Sequence, residues 1–318
     1  MSIRNGEILF VKCVKDGIPN RDPLNESDAR RIFGEDDGRI SLSDVSIKRD
    51  VRDYVQAKYA DGGPNKQYFI FCREERREDG KLMGRESLAN SILEKAGRND
   101  EKNVKEALMS TAFDIRVFGA VYSVKGVAFN QTGPVQFGWA HSLHPVETKY
   151  VQGTVVMPSK DIEVSESGEE IGKAQGTIWT SYTLPFAVFA MPGVINATIS
   201  KDTGLSEVDM DLLLEGLWLG TLNRQARGRG LQQPVLMLHV EYDDPFFRLG
   251  YLEDQIRLEP GRDVWLGGNP PTSLKDISLD VTDLADVLNK CDKIARVRRW
   301  VTEGANIIGE LPGEVSHF

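Results

Sequence analysis

Three short stretches concentrate cations at spacings that suit phosphate binding. Lys48, Arg49 and Arg52 fall within five positions. On a helix, Lys48 and Arg52 share one side, while Arg49 lies about 100° round the axis. Cations so placed neutralise adjacent phosphates and release their counterions. Arg224-Gln-Ala-Arg-Gly-Arg-Gly230 offers forked donors at Arg224 and Arg227, among glycines that let backbone approach a ligand. Arg296-Val-Arg-Arg-Trp300 pairs cations with an aromatic able to stack on a base. Each stretch also has a plain structural reading. The first is then a solvated helix face with Asp50 and Asp53 as partners, the second a basic loop after a helix, the third a half-exposed helix end.

Two loops add polar groups. Asn20-Arg-Asp-Pro-Leu-Asn25 lies just beyond the first expected strand, where Asn20 and Arg21 meet whatever crosses the sheet. Gly133-Pro-Val-Gln136 is by itself only a turn, in which glycine permits close backbone approach and Gln136 could read or brace a nucleotide. Signals for catalysis are thin: the sequence has no GxSxG, P-loop or HExxH. Asp22 is the one carboxylate in a conformationally special loop, and aspartate there serves the turn itself. His141 and His144 form an HxxH without a further ligand nearby, so no metal is expected. Cys13, Cys72 and Cys291 show no CxxC spacing and read as buried free thiols of a reducing compartment. No cofactor is implied.

A chain of 318 residues with 40% hydrophobic and 27% charged residues can bury a sizeable core. Its formal net charge of −9 argues against a sequence-independent duplex binder, so any nucleic-acid binding has to be local. No apolar run approaches the roughly 20 residues of a membrane span, and the N-terminus lacks a secretory apolar segment. A cytoplasmic protein without membrane contact is expected.

These residues need elements to hold them. Gly6–Val14 reads as a first strand, and Ser43 caps a helix whose Ile47, Val51, Tyr54 and Val55 form one apolar face. Residues 56–112 read as a lightly packed helical insertion with helices near Glu86–Ala96 and Glu101–Thr111. Asp114–Tyr122 is expected as the second strand. Val151–Met157 and Thr177–Tyr182 read as the arms of a hairpin with an acidic tip at Glu163–Glu170; seven strand residues span about 23 Å, so it protrudes. Leu184–Ala190 gives a third strand and Ser206–Asp209 a capping box opening a helix. Pro234–Tyr242 gives a fourth strand, and a last amphipathic helix covers Thr282–Val301. The order β-α-β, β-α-β is the ferredoxin-like, α+β order shared by RNA-recognition modules.

Several segments together resemble a known family: Asn20–Glu26, Ser43–Tyr54, Asp114–Val121, Gly133–Gln136, Ser142-Leu-His-Pro145 and Thr203–Asp211. In this order they are similar to the backbone subunit of type I CRISPR Cascade complexes, the Cas-seven family, in its Csh/Csd branch with a lean to type I-B. The resemblance implies one palm domain over 1–318, like an RNA-recognition motif, with a fingers insertion at 56–112 and a thumb hairpin at 146–182. The C-terminal extension at 245–318 matches no part of the family, and its amphipathic helix is what suggests packing on the palm. The resemblance implies copies stacked head to tail along a guide RNA (crRNA), target DNA reached through guide pairing, and other Cascade subunits as partners. The RNA-binding set would be Asn20, Arg21, Lys48, Arg49, Arg52, Gly133, Pro134, Val135, Gln136, Arg224 and Arg227, with no catalytic residue. The alternative it raises is a metal-assisted endoribonuclease, as in type III complexes, with Asp22 binding the ion.

Overall fold

In a computed structural model, the described residues are 3–25, 28–155, 163–164, 170–171 and 178–318. The apolar run near the N-terminus forms the long strand β1 (Asn5–Lys15). Ile8, Phe10 and Val14 enter one core and Leu9, Val11 and Cys13 another. Such a doubly buried strand reads as a continuous hydrophobic run because both of its faces are covered.

A two-residue strand, β2 (Ser41–Leu42), leads into α1 (Asp44–Lys58), which starts after Ser43 and buries Ile47, Val51 and Val55. Next come α2 (Arg85–Lys95), α3 (Val104–Thr111) and α4 (Phe113–Phe118). The hairpin β3 (Gly119–Val124) and β4 (Val127–Thr132) precedes two short strands, β5 (Val135–Phe137) and β6 (Ala140–Ser142). β7 (Lys149–Thr154) pairs with β10 (Ile178–Thr183), and between them β8 (Glu163–Val164) pairs with β9 (Glu170–Ile171). The chain continues through β11 (Phe186–Ile195), α5 (Ala197–Thr203), α6 (Glu207–Asn223) and β12 (Leu231–Tyr242). It ends with β13 (Arg257–Glu259), α7 (Arg262–Trp265), β14 (Ser278–Asp280), α8 (Thr282–Lys290), β15 (Ile294–Val301), β16 (Ile307–Ile308) and β17 (Glu314–Val315).

The main sheet runs β17-β15-β12-β1-β11-β6-β2, with β5 also pairing β11. β1 is antiparallel to both neighbours, setting Phe10 opposite Met191 and Met237. α1 and α6 cover one face. They approach so closely that a Cβ at Gly220 would lie 2.5 Å from the Asp50 carbonyl oxygen. The C-terminal segment covers the other face, with Leu252, Leu258, Trp265, Leu279 and Leu284 packed against Leu9, Val11, Val188 and Leu238. Buried Glu7 pins this layer to β1, accepting hydrogen bonds from the Tyr242 hydroxyl (2.5 Å) and from the Leu249 and Gly250 amides (2.9 and 3.0 Å).

Four expectations need correction. Asp114–Tyr122 is not one strand: Phe113–Phe118 is α4, all six of its residues are buried, and β3 begins at Gly119. Uniform burial erases the period that separates helix from strand. The helix lets Asp114 meet Arg52 while Arg116 grips Asp209. The strand beside β11 is supplied instead by β5 and β6. The stretch Thr282–Val301 splits into α8 and β15, so the Arg296–Trp300 cluster lies on a strand. The 56–112 insertion is not lightly packed, since Phe69, Phe71, Leu88, Ile92, Leu93 and Leu108 form their own cluster with Tyr122 of β3. Of the cysteines only Cys13 is buried, its thiol pKa pushed up to about 11 by that burial; Cys291 is half-buried and Cys72 exposed. Most of the expected acidic hairpin tip, and the ends of its arms at 156–157 and 177, lie outside the described residues. Among the described residues, no helix is long and apolar enough to cross a membrane.

His144 belongs to the core. Its Nε2 accepts the Val188 amide (3.1 Å), its Nδ1 bonds the Pro145 carbonyl (2.8 Å), and its ring stacks on Trp265. That arrangement needs a neutral ring, and burial holds the pKa down at about 4. Between about pH 6.5 and 4 the unfolded chain therefore binds a proton that the folded chain refuses, so this contribution is intact above pH 6.5 and shrinks as pH falls. Denaturant unfolding at pH 7 and pH 4.5 should show the wild type losing roughly 2 kcal/mol more than His144→Gln.

Candidate nucleic-acid interface

Lys12 lies on the same side of β1 as Phe10 and Val14, so the strand sends an ammonium into the α1 interface. Its Nζ donates to Gln232 Oε1 (2.8 Å) and pairs with Asp50 Oδ2 (3.3 Å). Asp50 is wholly buried and also takes the Arg224 guanidinium at Oδ1, with Arg229 Nη2 3.9 Å away. Burial pushes the Lys12 pKa down and Asp50 works against that shift. Burial and then neighbouring Arg224 lower the pKa of Arg229, although a guanidinium keeps its charge. Arg224 and Arg229 also reach back to α1, to the Ser46 carbonyl (2.9 Å) and hydroxyl (3.1 Å). Arg49 pairs with Asp53 (2.7 Å), which stands 3.8 Å from Arg224 Nε. Three arginines thus share two carboxylates even before Lys12 is counted, and the surplus is positive.

Above this cluster opens a groove of about 610 Å³, lined by Asn20, Arg30, Ser43, Asp44, Arg49, Trp139, Arg224 and Arg229 among others. The first loop forms its wall. Asn20 Oδ1 accepts from the Ser43 amide and hydroxyl (2.9 Å each) and from Arg30 Nη1 (3.2 Å), clamping the start of α1 from outside the helix. Arg21 Nη2 bonds Ser181 Oγ (2.6 Å) and the carbonyls of Tyr182 and Gly228 (3.1 Å each). One guanidinium so joins the first loop, the hairpin base and the loop after α6. Gly17 and Gly230 let those two loops cross, since a Cβ at Gly17 would sit 2.0 Å from the Gly230 nitrogen.

The other expected residues fall in distinct places. Lys48 and Arg52 share a face that turns inward, each side chain only 12% exposed. Lys48 bonds Asp44 (2.9 Å) and Gln136 Oε1 (3.0 Å), and Arg52 bonds buried Asp114 (2.9 Å), which also accepts the Phe71 and Cys72 amides. Both cations lie near the Phe118 ring. Gly133 abuts the Phe118 and Gly119 backbone, Pro134 accepts the Asn196 amide (2.9 Å), Val135 is fully buried, and Gln136 Nε2 bonds the carbonyls of Phe118 and Gly133 (3.1 Å each). The turn therefore touches α1 through Lys48 and does not line the groove. Arg49, at 40% exposure, does. Arg227 lies over the Trp179 ring at 4.5 Å, at the hairpin. On β15, Arg296 is held by Glu241, Arg298 by Asp211 (2.7 Å), and Trp300 is buried.

Sequence reasoning passed over Lys12, Arg30 and Trp139 and gave Arg229 no separate role. A lysine inside an apolar strand was the one available signal, because a charge there has to be paired. Trp139 and Arg30 meet only through tertiary packing.

The family model of CRISPR-associated protein Cas7 matches residues 4–282. No curated protein matches the sequence. Among solved structures, a chain from "CRISPR RNA-guided surveillance complex, pre-nicking" aligns at a TM-score of 0.58 with 14% identity, covering 98% of this chain and 96% of that one. A chain from "CRISPR RNA-guided surveillance complex" aligns at 0.52 with 13% identity, over 97% and 94% of the two chains. At such identities the likeness is one of fold.

Replacing Asp50 by alanine leaves Lys12, Arg224 and Arg229 without their shared anion and should cost roughly 3–5 kcal/mol. Arg49→Ala breaks a solvent-screened pair and should cost under about 1 kcal/mol. Denaturant unfolding of both variants measures the contrast.

Proposed function

This chain belongs to the CRISPR-associated Cas7 family, and from that premise we propose that it is the crRNA-holding backbone subunit of a type I Cascade surveillance complex. The observation that carries the reading is the groove at the start of α1, where Arg30, Arg49, Arg224 and Arg229 converge on a chain of net charge −9. A local basic groove on an acidic body suits one strand held by its backbone while repelling nonspecific polyanions. Guide pairing then reads the target DNA, and the protein supports shape and phosphates.

A palm like an RNA-recognition motif is supported by the strand order β12-β1-β11 with β5 and β6 beyond, and by α1 and α6 on one face. Residues 56–112 serve as fingers, 146–182 as the thumb, and 245–318 as the layer behind the sheet. Asn20, Arg21 and Arg227 border the strand, and Lys48, Arg52 and Gly133–Gln136 brace the helix that carries Arg49. The resemblance of the quoted sequence segments supports head-to-tail stacking of copies, assembly with other Cascade subunits and the Csh/Csd, type I-B lean, and a cytoplasmic location is proposed with them. We take the subunit as non-catalytic. Asp22 spends its carboxylate on the Leu24 amide (3.0 Å), while its own amide donates to Asp28 (2.7 Å), as a turn residue does.

Purified protein should carry RNA. Arg49→Ala with Arg227→Ala should weaken RNA binding and flatten the dependence of log K on log salt by about 0.7 for each phosphate no longer neutralised. RNA-free preparations together with unchanged affinity in the double variant would sink the proposal. Assembled complex given complementary RNA and Mg²⁺ should cut nothing; cleavage abolished by Asp22→Ala would instead establish the nuclease reading.

A further inference from the structure

The groove does not end at its arginines. Trp139 lines it and is 39% exposed. Two residues on, His141 faces the same way, because Ala140 and Ser142 of β6 turn into the core. Against His141 lies Phe33, 47% exposed, with ring centroids 4.5 Å apart. Each ring set has its own cation: Arg30 Cζ stands 6.0 Å from the Trp139 centroid and Arg39 Cζ 4.0 Å from that of Phe33. Both arginines are held in place, Arg30 by Asn20 (3.2 Å) and Arg39 by Asp37 (2.8 Å). Ser41 fixes the His141 ring through Nδ1 (2.9 Å).

We infer that Trp139, His141 and Phe33 form a stacking platform for unpaired bases of a single-stranded RNA whose phosphates lie in the adjoining arginine groove. The inference rests on the RNA-binding reading above and adds the base-side half of the contact. Two features favour RNA over a protein partner. A cation flanks each ring set, Arg30 at Trp139 and Arg39 at Phe33, a combination that holds single strands through base stacking and phosphate neutralisation together. The platform is also continuous with the basic groove, Trp139 belonging to both. Stacking on these rings is tolerant of base identity, since every base has a π-face. That suits a protein that must accept any guide.

The test measures full-length protein against a short fluorescent polyuridine RNA over a range of salt. Trp139→Ala should lose roughly 5- to 150-fold in affinity, and Trp139→Phe should recover most of it. Neither should change the salt slope, because every phosphate partner stays in place. Wild-type affinity in Trp139→Ala, or a loss matched by a shallower salt slope, overturns the platform. So does intact RNA binding with lost self-association in sedimentation, which would make the surface a protein contact. Arg49→Ala with Arg227→Ala separates the two claims. Weakened binding there beside an unaffected Trp139→Ala leaves the RNA-binding function standing and removes only the platform, whereas a wild type that binds no RNA removes both.

Discussion

Everything near the groove depends on one buried carboxylate. Asp50, on α1, sits where β1 and the loop after α6 meet the helix, and both send it cations: Lys12 from the strand, Arg224 and Arg229 from the loop. An ion held out of water is costly unless its partners are close and well bonded. The close helix approach at Gly220 is what sets the Asp50 backbone deep enough to be reached from both sides. The same cluster that fixes α1 on the sheet leaves a net positive charge at its rim. If the groove holds RNA as proposed, stability and affinity draw on the same guanidinium groups, and the groove cannot be made much more acidic without loosening the fold.

A second constraint is that the central strands β12, β1 and β11 have both faces covered. α1 and α6 close one side and the 252–311 segment closes the other with apolar contacts. Small RNA-recognition domains bind by stacking bases on an open sheet, and that surface is occupied here. Buried Trp300, within the third basic cluster, shows the point: its ring is spent on packing against Phe318 and the core. The proposed RNA path therefore runs along the margin where β2, β6 and the first loop meet α1.

The sequence was most readable where local chemistry and tertiary environment agree. β1, the apolar face of α1, the Ser206–Asp209 capping box and the hairpin arms follow from runs, periods and caps that hold in isolation, whereas Ser43 precedes α1 without a side-chain cap bond and its hydroxyl donates to Asn20. Reading failed where burial overrides pattern. α4 is buried on every side and so carries no period, and Ile294–Val301 continues the apolar content of α8 while changing its geometry. The site was legible only in part for a related reason. Which of Lys48, Arg49 and Arg52 faces the groove is decided by Asp114 and Gln136, residues far along the chain, and by α1 turning two of these three cations inward.

Arg21 ties the first loop, the base of the β7–β10 hairpin and the Gly228 turn through a single guanidinium. In mechanical terms that residue is a tie, so a shift at the hairpin base is passed to the groove wall through one guanidinium. The groove wall, to which Arg21 itself belongs, and the hairpin base are accordingly coupled within each copy of the chain by one side chain.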